Sequence, residues 1–307
     1  MFFRNLVLFT LPEIHRIDSE TLEAALARHA LQPVGALAMQ SRGFLPPLGA
    51  EGALLQRVNR SFWLCLGGED RILPGAVVHR EWQLKIAKAE QAKGHPLGKR
   101  ARSQLKQETL DELMPRAFVK PSRCNAVIDA EAGIIAIDSA SVKSAEALLG
   151  KLREALGSLP ALPLQAAQAP RGILTRILLG QDLPDGWFIG EECELSDPAE
   201  KGAVVKCLRH DLASAEVLAH LEAGKQVSRL EIVADGHVRC VIGEDLVLRK
   251  FKLLEGAVDT LESHSGESLE DELMARFALF SAELSRFYKA FAQAFGLADG
   301  MAKAKAA

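Results

Sequence analysis

The sequence contains few cysteines and no long apolar run. Its five cysteines are odd in number and lie at least fourteen residues apart, which excludes a CxxC redox or zinc motif and argues against a disulfide framework. We expect them to be small buried side chains in a reducing compartment. No apolar run approaches the roughly 18 residues that a membrane-spanning helix needs. The apolar residues 1–11 are interrupted by Arg4 and Asn5 and lack a small-residue cleavage site. A cytoplasmic protein without a membrane partner is therefore predicted.

Recognisable catalytic motifs are also missing. The eight histidines form no HxxxH or HExxH pair, and neither a GxSxG elbow nor a Cys/His nucleophile context is present. Residues 94–100 are one residue too short for a Walker A motif and lack its Ser/Thr, so a turn between two helices is predicted there. Asp129 and Asp138 could be metal ligands of a nuclease, but aspartates that flank a hairpin are usually turn residues. The sequence therefore predicts no enzyme activity, no metal and no cofactor.

Length and composition predict an α+β protein. With 307 residues, of which 48% are apolar, the chain can form a packed core and about two domains. We predict a central α+β domain of mixed core from residues 1–74 and 124–165. A helical basic arm, residues 75–123, is inserted into it, and a strand-rich base domain of residues 166–307 ends in an amphipathic helix.

Local patterns place the elements of these domains. Strands are predicted at residues 3–11, 61–66, 126–129, 134–138, 202–208, 226–233, 238–242 and 246–253. Helices are predicted after Asp18 or Ser19, twice within the arm, from Ser141 to a C′ residue at Gly157, near 173–179, over 214–223, and after a capping box of Ser268 and Asp271. Residues 43–47 are punctuated by glycine and proline, which favours a break in regular structure.

Positive charge is concentrated in the arm. Residues 80–123 hold eleven Lys/Arg and five Asp/Glu, a net +6 in a chain of net −3. Between Gln91 and Gln107 there are five basic residues and no acid, whereas a solubilising helix face normally mixes signs. This imbalance favours a polyanion as partner. The arm has no aromatic residue between Trp82 and Phe118, which favours duplex phosphate contacts over single-strand stacking.

The predicted DNA contacts are eight of the basic side chains of the arm. They are Lys85, Lys88, Lys93, Lys99, Arg100, Arg102, Lys106 and Arg116. Nothing in the arm resembles a recognition helix or a zinc finger, so binding without sequence preference is predicted. Two alternatives remain open at this point. The run is a solvated helix face, or the chain is a protein-interaction module whose arm meets an acidic partner protein.

Several short motifs resemble the bacterial recombination-associated RdgC family. They occur in order over nearly the whole chain, at residues 46–47 (PP), 72–74 (ILP), 85–88 (KIAK), 113–118 (LMPRAF), 138–146 (DSASVKSAE), 156–160 (LGSLP), 211–212 (DL) and 221–225 (LEAGK). The resemblance implies a cytoplasmic, nucleoid-associated protein that binds double-stranded DNA without sequence preference. It further implies a ring-shaped homodimer that takes duplex into its hole and restrains the RecA recombinase by occupying DNA.

The resemblance also implies two dimer contacts. Phe118 falls on the family phenylalanine of the Pro-Arg-Ala-Phe motif, which implies a tip-to-tip contact between subunits. Arg209 and His210 fall where the family has its base-to-base contact, although this chain departs there from the Lys-Gln expected for the family.

Overall fold

The computed structural model describes residues 3–12, 18–49, 51–198, 202–258 and 268–297. The chain divides into two compact units, one of residues 1–28, 46–65 and 124–307 and a second of residues 29–45 and 66–123. Helices and a large antiparallel sheet are both present, which confirms the predicted α+β class. The second unit carries thirteen Lys/Arg and seven Asp/Glu, a net +6, which leaves −9 for the first unit.

The helices are α1 (Ser19–Arg28), α2 (Gly75–Lys93), α3 (Lys99–Leu113), α4 (Val142–Leu156), α5 (Pro170–Leu178), α6 (Ala215–Glu222), α7 (Glu255–Val258) and α8 (Leu269–Phe295). The strands are β1 (Leu6–Thr10), β2 (Gln40–Leu45), β3 (Leu55–Val58), β4 (Ser61–Ile72), β5 (Phe118–Asp129), β6 (Ile134–Asp138), β7 (Leu162–Pro163), β8 (Trp187–Ser196), β9 (Val204–Leu208), β10 (Gln226–Ala234), β11 (Val238–Gly243) and β12 (Leu248–Leu253). None of the helices in these described ranges is both long enough and apolar enough to cross a membrane.

The sheet of the first unit runs in the order β5, β6, β1, β12, β11, β10, β8 and β9. The predicted hairpin is confirmed, because β5 and β6 pair from Ala126 opposite Ile137 to Asp129 opposite Ile134. The predicted helix after Ser141 is also confirmed as α4, and Gly157 ends it with φ 76°, a backbone angle that favours glycine. Burial alternates along β10, which shows that one face of the sheet packs against the core.

Helix α8 supplies the aromatic part of that core. Its predicted apolar stripe is buried, and two of its phenylalanines stack on distant aromatic rings. Phe280 lies 4.5 Å from Phe3 between ring centroids, and Phe287 lies 5.1 Å from Trp187. Complete burial of one such side chain contributes roughly 1.5–3 kcal/mol. The cap predicted at Ser268 is confirmed, since its hydroxyl accepts the Asp271 N–H at 3.1 Å.

The second unit contains β2, part of β4, part of β5, and helices α2 and α3. Strand β2 corrects the expected break at residues 43–47, because Gly43 lies inside the strand. A Cβ at Gly43 would lie 2.4 Å from the backbone nitrogen of Leu31, whose N–H donates to the Phe44 carbonyl at 2.9 Å. The glycine therefore permits a close approach of two backbones inside regular structure.

Strand β8 was not predicted. Its sequence, WFIGEECELS, lacks clean alternation, and its pairing with β10 contains register shifts that change which residues face the core. Strands β4 and β5 are also longer than predicted, at twelve residues each. Tertiary pairing extends these strands beyond the apolar segments that sequence patterns reveal.

Candidate nucleic-acid interface

The basic arm is a helical hairpin formed by α2 and α3. Helix α2 ends at Gly94, whose left-handed backbone (φ 68°) returns an N–H to the Glu90 carbonyl at 2.9 Å. Val78 and Ile86 are buried on α2, and the Trp82 indole N–H donates to the Arg102 carbonyl at 2.9 Å. These contacts hold the two helices side by side, so that the loop at residues 94–98 joins them at one end.

Glu90 fixes the loop end of the hairpin. One of its carboxylate oxygens accepts the Leu97 N–H at 2.8 Å and lies 2.9 Å from the Arg102 guanidinium. The Leu97 hydrogen bond, followed by the bond and charge of Arg102, lowers the pKa of Glu90 below its ordinary value. The carboxylate therefore stays ionised and keeps the loop in place at neutral pH.

Three of the eight predicted contact residues interact with neighbours inside the hairpin. Arg102 pairs with Glu90, and the half-buried Lys85 lies 2.7 Å from a Glu112 oxygen. The Lys106 ammonium lies 5.8 Å from the centroid of the Trp82 ring, within range of a cation–π contact. These three cations stabilise the packing of α2 against α3, which reduces the charge they can offer to a ligand.

The other five predicted residues are exposed, and no ion pair involves them within the described part of the chain. They are Lys88, Lys93, Lys99, Arg100 and Arg116. Lys93 ends α2, while Lys99 and Arg100 begin α3, so three cations lie at the loop end of the hairpin. We call Lys93, Lys99 and Arg100 the loop-end cluster.

The start of α3 is unusual in its charge. A helix N-terminus carries a partial positive charge and is normally stabilised by acidic residues or a capping side chain. Helix α3 instead begins with Lys99 and Arg100, has no acid in its first turn, and receives no side-chain cap from Gly98. Backbone N–H groups and basic side chains at such an end match the requirements of a phosphate.

Phe118 follows the hairpin and is 84% exposed. A 3-10 turn at Met114–Arg116 precedes it, and the Arg71 guanidinium donates to the Met114 carbonyl at 2.9 Å. This hydrogen bond fixes the turn that immediately precedes β5. Val119 and Ile72 are also exposed apolar residues of this unit. Phe118 is therefore a surface residue and does not lie in the core of its own unit.

Arg209 and His210 follow the last strand of the first unit's sheet. Arg209 has a left-handed backbone (φ 54°), and the His210 N–H donates to the Glu191 carbonyl at 3.2 Å. A ring nitrogen of His210 lies 3.2 Å from the Ser214 hydroxyl. Leu208, just before them, is 60% exposed on β9. The structure thus places both predicted residues beside an exposed apolar side chain at a sheet edge.

The two aspartates of the nuclease alternative do not come together. Asp129 accepts the N–H groups of Glu131 and Ala132 at 2.9 Å, as a turn residue does. Asp138 accepts the Arg4 N–H at 3.0 Å, so each carboxylate has its own structural contacts. Asp129 is opposite Ile134 in the hairpin, and Asp138 lies four positions further along β6. At the rise of a strand, this places the two aspartates about 13 Å apart along the sheet. A single metal ion cannot bridge that distance.

Two arrangements distinguish this protein, an antiparallel sheet covered by an aromatic helix and a basic helical hairpin. Together they define an α+β protein with a cluster of exposed cations at one end of a helical hairpin. The family model "RdgC: Putative exonuclease, RdgC" matches residues 1–298, and the chain belongs to the RdgC family.

Three relatives, each named recombination-associated protein RdgC, show the extent of the similarity. The protein of Xanthomonas campestris pv. campestris (strain B100) is 49% identical over 290 residues, which cover 94% of this chain and 95% of the relative. That of Xanthomonas oryzae pv. oryzae (strain MAFF 311018) is 48% identical, over 94% and 96%. That of Xylella fastidiosa (strain 9a5c) is 45% identical, over 94% and 95%.

Proposed function

We propose that this protein binds double-stranded DNA without sequence preference, as a ring-shaped homodimer, and limits RecA-mediated recombination by occupying the DNA. The loop-end cluster is the observation that carries the proposal. Three exposed cations without an ion pair in the described residues lie at the start of α3, whose first turn contains no acidic residue, in a unit of net charge +6. Duplex DNA is a partner with regularly spaced phosphates that would satisfy this charge.

The absence of sequence preference follows from the kind of side chain that the hairpin offers. Lysine and arginine on an exposed helix end contact phosphates, which are the same at every base pair. A protein of this kind would accumulate on the nucleoid, because the chromosome holds most of the duplex DNA of the cell.

Two contacts per subunit would close the proposed ring. In a two-fold dimer, each contact joins identical surfaces across the symmetry axis, so two separate patches can enclose a hole. The first patch is the exposed Phe118 with its apolar neighbours, and the second is Leu208 with Arg209 and His210. Closure around DNA slows escape without requiring tight local binding, and two subunits double the number of phosphate contacts.

A salt-titrated binding assay tests the proposal. Fluorescence anisotropy with two duplexes of unrelated sequence should give equal affinities, and log K should fall with log salt by about 0.9 per phosphate contacted. Sedimentation equilibrium of the free protein should give twice the mass of the 33.3 kDa chain. Affinity that is independent of salt, or a monomer at micromolar concentration, would contradict it.

The name of the matching family model makes nuclease activity the second function to test. Incubation of supercoiled plasmid and of linear duplex with Mg²⁺ or Mn²⁺ should leave both intact if the protein acts only by binding. Progressive shortening of linear duplex that Asp129→Asn or Asp138→Asn abolishes would replace the binding proposal with a catalytic one.

A further inference from the structure

Two cysteines far apart in sequence face each other at the edge of the first unit's sheet. Cys193 on β8 is directly opposite Cys207 on β9. Opposed residues of an antiparallel pair project to the same face of the sheet. That face is the core side, where Cys193 is buried and Cys207 is half-buried.

The strand geometry is compatible with a bond between the two sulfurs. Directly opposed residues in antiparallel strands have Cα atoms about 4.5 or about 5.5 Å apart, and both separations fall within the range of roughly 4.4–6.8 Å found in disulfides. The Cβ atoms, ordinarily about 4.5–5.5 Å apart, would have to approach by at most about 1 Å. Strand β9 can make that movement, because it is the last strand of the sheet within the described residues.

We propose that Cys193 and Cys207 form a site of reversible oxidation, at which the disulfide of a small thiol produces a cross-strand disulfide. The inference does not rest on the DNA-binding proposal, although Cys207 directly precedes Leu208 of the second proposed ring contact. The less buried Cys207 reacts first. Its thiolate attacks one sulfur of the small disulfide, which yields a mixed disulfide and one released thiolate that takes up a proton.

The second step closes the bond between the strands. Cys193 loses its proton to solvent, and its sulfur attacks the Cys207 sulfur of the mixed disulfide, displacing the second small thiol. In total, two protein thiols are oxidised and one small disulfide is reduced to two thiols. Burial and the adjacent Cys207 thiol raise the pKa of Cys193 to about 12, so Cys193 suits this second role and not the first.

Another cysteine of the same sheet provides a control. Cys240 on β11 is opposite Ile232 on β10, so its position in the sheet differs from that of Cys193 by the absence of an opposed thiol. It is completely buried, and burial raises its pKa as well. Cys240→Ser therefore removes a buried thiol of the same sheet while leaving the opposed pair intact.

The test uses the full chain and oxidised glutathione. After incubation in native buffer, the protein is quenched in acid, alkylated, digested with trypsin without reduction, and analysed by mass spectrometry. The expected product joins the peptide of residues 177–201 to the peptide of residues 207–209, and the intact chain loses about 2 Da until dithiothreitol restores it. Cys240→Ser should give the same linked peptide.

Two further measurements distinguish proximity from random oxidation. Cys193→Ser should stop at glutathionylated Cys207, while Cys207→Ser should leave Cys193 unmodified. At the same ratio of oxidised to reduced glutathione, the fraction of chains with the Cys193–Cys207 disulfide should be at least about tenfold higher in native protein than in the urea-unfolded chain. The proposal fails if native wild-type protein accumulates the Cys207 adduct without the link, or if the link forms no more readily than in urea. Both outcomes are read from wild-type protein, so they do not depend on the folding of a variant.

Discussion

Glu90 and Arg102 join the two helices of the basic hairpin by an ion pair of 2.9 Å. The same Glu90 oxygen accepts the Leu97 N–H, so one carboxylate connects α2, the loop and α3. The contact explains how a segment so rich in cations keeps a defined shape. Part of its positive charge is neutralised internally, and three of its five unpaired cations lie at the loop end.

The loop end should therefore lose order at low pH. The pKa of Glu90 is lowered in the folded protein, so its stabilising contribution is complete above the ordinary glutamate value and disappears as pH falls through the lowered value. NMR titration of the Glu90 carboxyl carbon should give a midpoint below 4.5. Glu90→Gln should speed Leu97 amide exchange at neutral pH, and exchange unchanged from wild type would refute this role.

Reversing the loop-end cluster should weaken DNA binding uniformly. Lys93→Glu, Lys99→Glu and Arg100→Glu together remove three phosphate contacts from each subunit and six from the homodimer, so the slope of log K against log salt should flatten by about 5.4. Arg102 is left in place because its ion pair with Glu90 supports the hairpin.

The matched control for that triple variant is the charge reversal of exposed lysines in the other unit. Lys143→Glu with Lys252→Glu removes lysines at exposed positions of the first unit. Their reversal should change the slope of log K against log salt by no more than about 0.9, the value for one phosphate contact. Equal effects per reversed charge in the triple variant and in this double variant would mean that overall charge, and not the hairpin end, governs affinity.

Phe118→Ala should weaken DNA retention without unfolding the protein. Its side chain is 84% exposed, so truncation creates no core cavity, and the melting temperature should stay close to wild type. Retention on circular duplex should fall more than affinity for short linear duplex, because only a closed ring is held by topology.

Phe44→Ala is the stability control for that experiment. Phe44 is buried in the same unit, and its truncation should cost roughly 3–5 kcal/mol in free energy of unfolding. A large drop in melting temperature for Phe118→Ala, with retention per folded molecule unchanged, would remove Phe118 from the proposed ring contact.

Leu208→Asp should weaken self-association. The side chain is exposed at the last described strand of the sheet, and a charge placed in an apolar contact must be desolvated when the subunits meet. Sedimentation velocity should show a shift toward monomer. Leu269→Asp is the control, because it changes an exposed leucine in the first turn of α8, where an acid is favourable.

Inhibition of RecA-mediated strand exchange should follow the occupancy of duplex. Added duplex should relieve inhibition, since it titrates the protein away from the reacting DNA, whereas added recombinase at saturated duplex should relieve it poorly. Inhibition that depends on recombinase stoichiometry with duplex in large excess would instead support direct binding to a recombination protein.

Sequence patterns predicted best where one residue has one local role. Gly157 as a helix end and Ser268 as a cap are confirmed, since each depends on neighbours within a few residues. The break predicted at Gly43 was wrong, because a glycine is needed there for the close approach of the Leu31 backbone, and a local pattern cannot show that contact. The opposition of Cys193 and Cys207 was missed for the same reason, since it depends on the register of two strands.

The candidate site was predictable in composition but not in detail. Counting charges identified the arm, whereas the division of its cations between internal pairs and the loop end depends on packing. Lys85 and Lys99 are both predicted DNA contacts from the sequence. In the structure Lys85 is half-buried beside Glu112, whereas Lys99 is exposed at the start of α3. Only the three-dimensional arrangement separates structural from available charge.

The stacking of Phe3 on Phe280 has a consequence for synthesis, because 277 residues separate the two rings in the chain. At about 5–20 residues per second, roughly 15–55 s pass between the translation of one ring and the other. Both segments of the second unit, residues 29–45 and 66–123, are translated within that interval. The apolar face against which α8 packs therefore stays without its aromatic cover until α8 has left the ribosome.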